Sequence, residues 1–453
     1  MKHLVISIGL LLLASTCFAE YVSESQALDY AIDFHISHFI IDSCQINSLR
    51  KDIQAASSIK RYGQCHLIQF GSGWALVSTE STVKPILAYS ESGTFLYDSS
   101  DTPDGIRELF AFYDTIIIRT KDNPDVHPEW KIKPLNKNKN RNSVILSRMQ
   151  EIGWAQSRNN GYSYLCSQVY NKRCPTFADY SCLHNAVGCG AVAIGQVMWY
   201  FKWPYAAVVP RTMTDSLGNP DGKLLQIYDW DLMPSKIYNN TPINEVDTVA
   251  SFLRDCGFAI NTQYRYDGST SYFDELSTAL TSTFSYRCTT NSYGVGQDSL
   301  LQQHLKEDIN NGRPVILRGA NADNLQGHFF IVFGYNDYDL FNINWGWGDS
   351  YNHALFAITN LSILSYDYNY FKYAIRQIRP FPVCRSMSNC STYTYESDFK
   401  FIRYGPVIIC NKTINEGVRG LLGSSISVEI GENFTLPLGA ELTIDIIEQS
   451  CDE

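Results

Sequence analysis

Cys189 opens the run Gly188, Cys189, Gly190, Ala191, Val192, Ala193, Ile194, Gly195, which continues as an apolar helical pattern to Phe201. A cysteine at a helix N-terminus meets free backbone N–H groups and the positive end of the macrodipole, and both favour its thiolate. A thiolate nucleophile needs a base, and His328 begins the strand-like apolar run over 327–334. A second strand pattern, 340–348, follows the turn residues Tyr335, Asn336 and Asp337. A turn centred on Asn336 sets His328 opposite Asn344, and directly opposed side chains have Cβ atoms about 4.5–5.5 Å apart. An amide at that distance can hold an imidazole in one tautomer, so Cys189, His328 and Asn344 read as nucleophile, base and orienter. The Trp345 backbone carbonyl is the alternative orienter. His184, a rival base by nearness in sequence, lies in a polar loop where no role is expected.

These residues need a scaffold. The pattern predicts helices over 189–201 (stopped by Pro204), 245–255 and 273–282, inside an aromatic-rich core that runs to about Pro380. Ahead of the core, a helix over 23–38, strands over 66–70, 74–78 and 85–89, and a helix from 106 make a small α+β domain. The two are joined by a basic, Asn-rich stretch over 131–142, which reads as a solvated linker. Beyond 380 come short β pieces over 407–410, 425–430 and 441–447, with no repeat of fixed period.

Composition narrows the function. With 29 Tyr, 23 Phe and 8 Trp in 453 residues the chain is no disordered polymer, and a net charge of −10 argues against phosphate-driven nucleic-acid binding. Residues 1–19 carry a basic start, an apolar stretch and small residues before Glu20, the pattern of a secretory signal peptide too short to span a bilayer. Of 13 cysteines, Cys17 leaves with that segment; the rest group so that pairs can close within their own regions. Spacing does not fix the connectivity, and no tight CxxC pair suggests zinc. Five N-x-S/T sites, at Asn239, Asn360, Asn389, Asn411 and Asn433, are glycosylation acceptors only in a eukaryotic secretory pathway.

Cys189 in GC-x-A-x-A, His328 in GH-x-F and the NWGWG run from Asn344 resemble the streptopain family of papain-like cysteine peptidases. The likeness extends to Trp154-Ala155-Gln156, where it implies an oxyanion donor at Gln156, and to 75–78 and 85–90, which resemble the family's propeptide domain. Gly190 stands where the family has Val, and Asp349 where it has Gly. The resemblance, which covers roughly residues 20–375, implies an α+β fold with an inhibitory propeptide and linker over 20–139 and a papain-like peptidase over 140–380, between the signal peptide 1–19 and a β-rich module 381–453. It further implies substrate contacts at Gly327, Trp345, Trp347 and Thr270, no metal or organic cofactor, and a preference for a hydrophobic side chain two residues before the scissile bond. The expected partners are protein or peptide substrates and the chain's own propeptide as intramolecular inhibitor, with no nucleic acid and no membrane span. The expected activity is that of a secreted cysteine endopeptidase made as a zymogen. The alternatives are a Cys–His acyltransferase or amidase on the same scaffold, and a secreted binding protein with a retired site.

Overall fold

The computed structural model describes residues 19–38, 45–95, 104–136, 143–156, 169–176, 184–210, 223–265, 268–294, 296–320, 327–348, 351–359, 373–382, 387–403, 407–424 and 427–446. The signal-peptide expectation and the Asn-rich end of the linker fall outside them. The N-terminal part begins with α1 (Glu24–Ser37), where Ser23 and Gln26 form a reciprocal capping box that satisfies two free N–H groups. After α2 (Ile46–Ala56) come strands β1 (Ser58–Tyr62), β2 (Cys65–Gln69), β3 (Trp74–Ser78) and β4 (Ile86–Ser90), then α3 (Asp104–Thr120). β3 and β4 are buried at every position, which explains why they read as unbroken apolar runs rather than alternating ones.

The central part contains β5 (Val144–Ile145), α4 (Ser147–Glu151), α5 (Cys189–Phe201), β6 (Ala206–Pro210), β7 (Lys223–Ile227) and α6 (Ile243–Ala259). It continues with α7 (Phe273–Thr278), β8 (Tyr286–Ser292), α8 (Asp298–Asn310), β9 (Val315–Ala320), β10 (Gly327–Tyr335), β11 (Phe341–Asn344), β12 (Leu355–Phe356) and β13 (Tyr373–Pro380). One antiparallel sheet crosses both parts in the order β1-β2-β3-β4-β12-β11-β10-β9-β13-β8, with β5 on β10. The join is β4 on β12, where Ala88 faces Phe356 and Tyr89 faces Leu355. Tyr113 of α3 seals it, its hydroxyl 2.9 Å from the Leu87 carbonyl and 2.7 Å from that of Ala357.

Three expectations change. The stretch from 131 is exposed at Lys131, Ile132 and Lys133 but not throughout: Pro134 is buried, and its carbonyl accepts from the Tyr338 hydroxyl at 3.3 Å. The anchoring lies just before the basic stretch, where Trp130 donates to the Val83 carbonyl at 2.8 Å, the Tyr30 hydroxyl donates to the Glu129 carbonyl and buried Lys84 pairs with the Glu129 carboxylate. Cys256 and Cys288 are free thiols, as are Cys65 and Cys174, while Cys390 and Cys410 are bonded.

The C-terminal module does repeat. Strands β14 (Met387–Asn389), β15 (Tyr393–Tyr395) and β16 (Phe399–Arg403) are followed by β17 (Val407–Ile409), β18 (Lys412–Ile414) and β19 (Arg419–Ser424), then by β20 (Val428–Ile430) and β21 (Glu441–Ile446). Corresponding strands pair in parallel, β14-β17-β20 and β16-β19-β21, so the chain winds as a β-solenoid of about 20 residues per coil. It rests on the β6–β7 hairpin, where Lys400 donates to the Ala206 carbonyl at 2.6 Å and Asp398 accepts from the Leu225 N–H at 2.7 Å.

An ionic cluster locks the far side of the central part. Asp308 of α8 has no exposed side chain and binds Arg313 at 2.7 Å and Arg376 of β13 at 2.8 Å. Removing one partner of a buried pair leaves the other charge uncompensated. Asp308→Ala is expected to lower unfolding free energy by about 3–5 kcal/mol in urea titrations; a change near zero would contradict this account.

Candidate active site

The nucleophile position is built by a turn that only glycine tolerates well. Gly188 has φ of 90° and caps α5, and a Cβ there would lie 3.3 Å from Ser269. Cys189 follows as the first helical residue, at the end where backbone N–H groups are free. The helix behind it is buried from Gly190 to Trp199, which its small and apolar residues permit. The family's Val would be crowded at position 190: a Cβ there already comes within 3.2 Å of Leu276 and 3.3 Å of Ile260.

His328, 5% exposed, lies near the start of β10. Its Nε2–H donates to the Trp345 carbonyl at 2.8 Å, since a carbonyl can only accept. The ring also hydrogen-bonds Cys189, and the Cys189 Sγ accepts from the Phe329 N–H at 3.5 Å. The electrostatics follow. Burial raises the Cys189 thiol, but attraction to His328, its hydrogen bond and the Phe329 N–H outweigh burial and hold it below the ordinary value. Burial likewise works against a charged His328, yet attraction to Cys189, the hydrogen bonds to Cys189 and to the Trp345 carbonyl, and the Glu108 charge push it up to about 9. Each group thus favours the charged form of the other, thiolate beside imidazolium.

Gln156 ends an extended segment that is fastened along its length. Trp154 donates to the Pro234 carbonyl at 2.9 Å and its own carbonyl accepts from Gln196 at 3.1 Å; Ala155 bridges Trp347. The Gln156 carbonyl accepts from the Val187 N–H at 2.7 Å, two residues before Cys189. Cys189, His328 and the Gln156 backbone thus converge.

Asn344 does not stand opposite His328. It pairs with Ile331, three positions along β10, because the loop closes between Asn336 and Leu340 and a bulge falls between Val332 and Gly334. An odd offset turns a side chain to the other face of the sheet. The Asn344 amide accordingly donates to the Ile152 carbonyl at 2.9 Å, and the Trp345 carbonyl is the group that holds the imidazole. The ring of Trp345 is buried between Phe330 and Phe356, with its centroid 6.5 Å from that of His328. Trp347 contributes a backbone bridge to Ala155. Exposed Gly327 begins β10, and exposed Thr270 pairs with Gln263 on the strip flanking Gly188. The His184 ring bonds the Cys174 carbonyl at 2.7 Å. Among the described residues, no group of three or more His, Cys, Asp and Glu side chains is arranged to hold a metal ion.

One participant carried no sequence signal. The first turn of α3 lies on the site: a Cβ on Gly105 would come within 2.7 Å of both the His328 ring and the Trp345 ring. Glu108, one turn on, is the carboxylate whose field reaches both Cys189 and His328. Nothing about a glycine near a helix start distinguishes it until the partner surface is known.

The Peptidase C10 family profile matches residues 164–353. The chain is 26% identical over 366 residues to the thiol protease/hemagglutinin PrtT of Porphyromonas gingivalis, a match that takes in 78% of this chain and 40% of that protein. It is 23% identical over 288 residues to streptopain of Streptococcus pyogenes serotype M1, covering 61% of this chain and 69% of streptopain. The structure of a Prevotella intermedia prointerpain A fragment superposes with a TM-score of 0.52 at 22% identity, over 72% of this chain and all of that one. That likeness shows the fold alone: mixed helices and sheets, a papain-like domain preceded by a smaller N-terminal part.

The ion pair has a direct chemical consequence. Below the His328 value of about 9 the imidazolium is present, and the thiolate it stabilises forms below the ordinary thiol value of 9.0. In chain whose linker has been cut, iodoacetamide is expected to alkylate Cys189 at pH 6 at least about tenfold faster than in His328→Ala, with the deficit closing above pH 9. Equal rates at pH 6, read by mass spectrometry of the Cys189 peptide, would mean the two residues are not coupled.

Proposed function

We propose that this chain, whose residues 164–353 match the Peptidase C10 family, is a secreted cysteine endopeptidase made as a zymogen. Cys189 Sγ attacks the peptide carbonyl, and the imidazolium of His328 protonates the departing amine. The Cys189 N–H, free at the helix start, and the Gln156 side chain are the donors that meet the oxyanion. Water then attacks the acyl-enzyme, with neutral His328 as its base. The Trp345 carbonyl keeps the ring in the tautomer this requires. Protein or peptide substrates lie across Gly327 and Thr270, with Trp345 and Trp347 screening the imidazole. A hydrophobic side chain two residues before the scissile bond is the preference that the family resemblance implies.

The observation that carries the zymogen reading is the contact of Gly105 with His328 and Trp345. A substrate cannot occupy space that α3 already fills, so the N-terminal domain acts as inhibitor until the stretch around 137–142 is cut. Polar linkers of this composition are favoured sites of cleavage. Export is proposed from the signal pattern at residues 1–19; among the described residues no helix is long and apolar enough to cross a membrane. The retired-site and acyltransferase readings are less favoured, because Cys189 and His328 are hydrogen-bonded and the Gln156 segment is fastened just before Cys189.

Intact mass followed over time tests this. Wild type should shed about 120 residues while Cys189→Ala stays whole. Products of mature enzyme on peptides should carry new N-termini; cross-links or ammonia instead would support the acyltransferase. A second variant tests occlusion. Overpacking costs about 1–3 kcal/mol, so Gly105→Leu should raise the undocked population, and the peptidase activity of uncut chain, roughly 5- to 150-fold. Unchanged latency in Gly105→Leu would remove the support for α3 as the plug.

A further inference from the structure

The Asn344 carboxamide touches two parts of the site at once. Its Oδ1 accepts from the Gly346 N–H at 3.0 Å, and its Nδ2 donates to the Ile152 carbonyl at 2.9 Å. The amide cannot be turned round, because one partner is only a donor and the other only an acceptor. The Gly346 N–H belongs to the same peptide group as the Trp345 carbonyl, which accepts from His328 Nε2 at 2.8 Å. That group is planar and rigid, so fixing its N–H fixes the direction of its C=O. A hydrogen bond received at the N–H also polarises the carbonyl and strengthens it as an acceptor. The other end of the amide holds Ile152, the start of the segment that ends at Gln156, where Asn352 donates to the same carbonyl at 2.7 Å.

We propose that Asn344 is a positioning residue that ties the His328 anchor and the Gln156 segment into one frame, through the 345–346 peptide and the Ile152 carbonyl. Asn344 acts on the imidazole through that peptide, not by contact, and with no exposed surface it touches no substrate. The inference rests on the peptidase reading for the role of the frame. The charged groups facing His328 are Cys189 from α5 and Glu108 from α3, and substitution at 344 changes neither.

The test compares Asn344→Ala, Asn344→Asp and Asn352→Ala with wild type, in full chain whose linker has been cut by limited trypsin. The readouts are the pH profile of kcat/KM on a fluorogenic peptide and the pH profile of Cys189 alkylation by iodoacetamide. Asn344→Ala should lose roughly ten- to hundredfold in kcat/KM, with the alkaline edge moved down from about 9. Asn344→Asp keeps an acceptor for the Gly346 N–H but loses the donor to Ile152, so its edge should stay at or above the wild-type position while the rate falls. Asn352→Ala loosens the Ile152 carbonyl without touching the 345–346 peptide, so its edge should stay put. An Asn344→Ala edge no lower than that of Asn352→Ala would overturn the proposal and leave Asn344 as packing. If Asn344→Ala does not fold, Asn344→Asp decides, and a lowered edge there overturns it. A wild type that alkylates at pH 6 yet cleaves no peptide would sink the peptidase reading alone, and the alkylation profiles would still decide the relay.

Discussion

The site depends on where β11 sits against β10. Asn344 faces Ile331, and the chain then leaves the sheet in time for the Trp345 carbonyl to meet His328. Moving that pairing by one residue would send the Asn344 side chain to the other face and carry the Trp345 carbonyl away from the ring. The bulge between Val332 and Gly334 and the loop from Asn336 to Leu340 set this register. The Asn336 Oδ1 accepts from both the Tyr338 and Leu340 N–H groups, so the loop carries its own fastening. A few backbone bonds remote from Cys189 thereby determine which group holds the imidazole.

The same sheet explains why the N-terminal domain can reach the site at all. β12 has β11 on one side and β4 on the other, so the domain's own strands extend the platform that carries His328. The Ala357 N–H donates to the Leu87 carbonyl at 2.8 Å, and Lys84 donates to the Tyr338 carbonyl at 2.8 Å, at the loop that sets the register. α3 packs across this join and delivers Gly105 to the ring. A side chain at 105 would have to displace two aromatic rings held in a packed core, where little can give. The opposing effects there are clear in sign. The positive end of α3 disfavours an imidazolium and favours a thiolate, while Glu108 does the reverse.

Much of this was legible in the chain itself. The helix over 189–201 appears with its bounds intact, because a cysteine after glycine and an unbroken run of small residues admit few other structures. Three of the four N-terminal strands also appear within a residue or two, since burial leaves apolar runs; β1, mostly exposed, left none. What escaped was register and contact. A hairpin read from its apparent turn gives the wrong partner for His328, because a bulge leaves no mark in the apolar pattern. The carbonyl that replaces the amide is invisible for a simpler reason: every residue has one.

The solenoid was missed because its signal is not apolar. Asn389, Asn411 and Asn433 are evenly spaced, and the latter two adopt φ of 54° and 55° at equivalent corners. Their side chains form a ladder, Asn433 to Asn411 at 3.0 Å and Asn411 to the Cys390 carbonyl at 2.8 Å. Asparagine tolerates that left-handed geometry better than most residues, so the corner, not the strand, holds the period. The inward columns are too short to show it. Ile409 is wholly buried but its neighbour Ile430 in the next coil is 40% exposed, and Leu422 gives way likewise to Ile444 at 48%. With each coil contributing so few core positions, and the last exposing its own, apolar periodicity fades, and only the corners at Asn411 and Asn433 match in residue type, Asn389 ending β14 opposite Ile409.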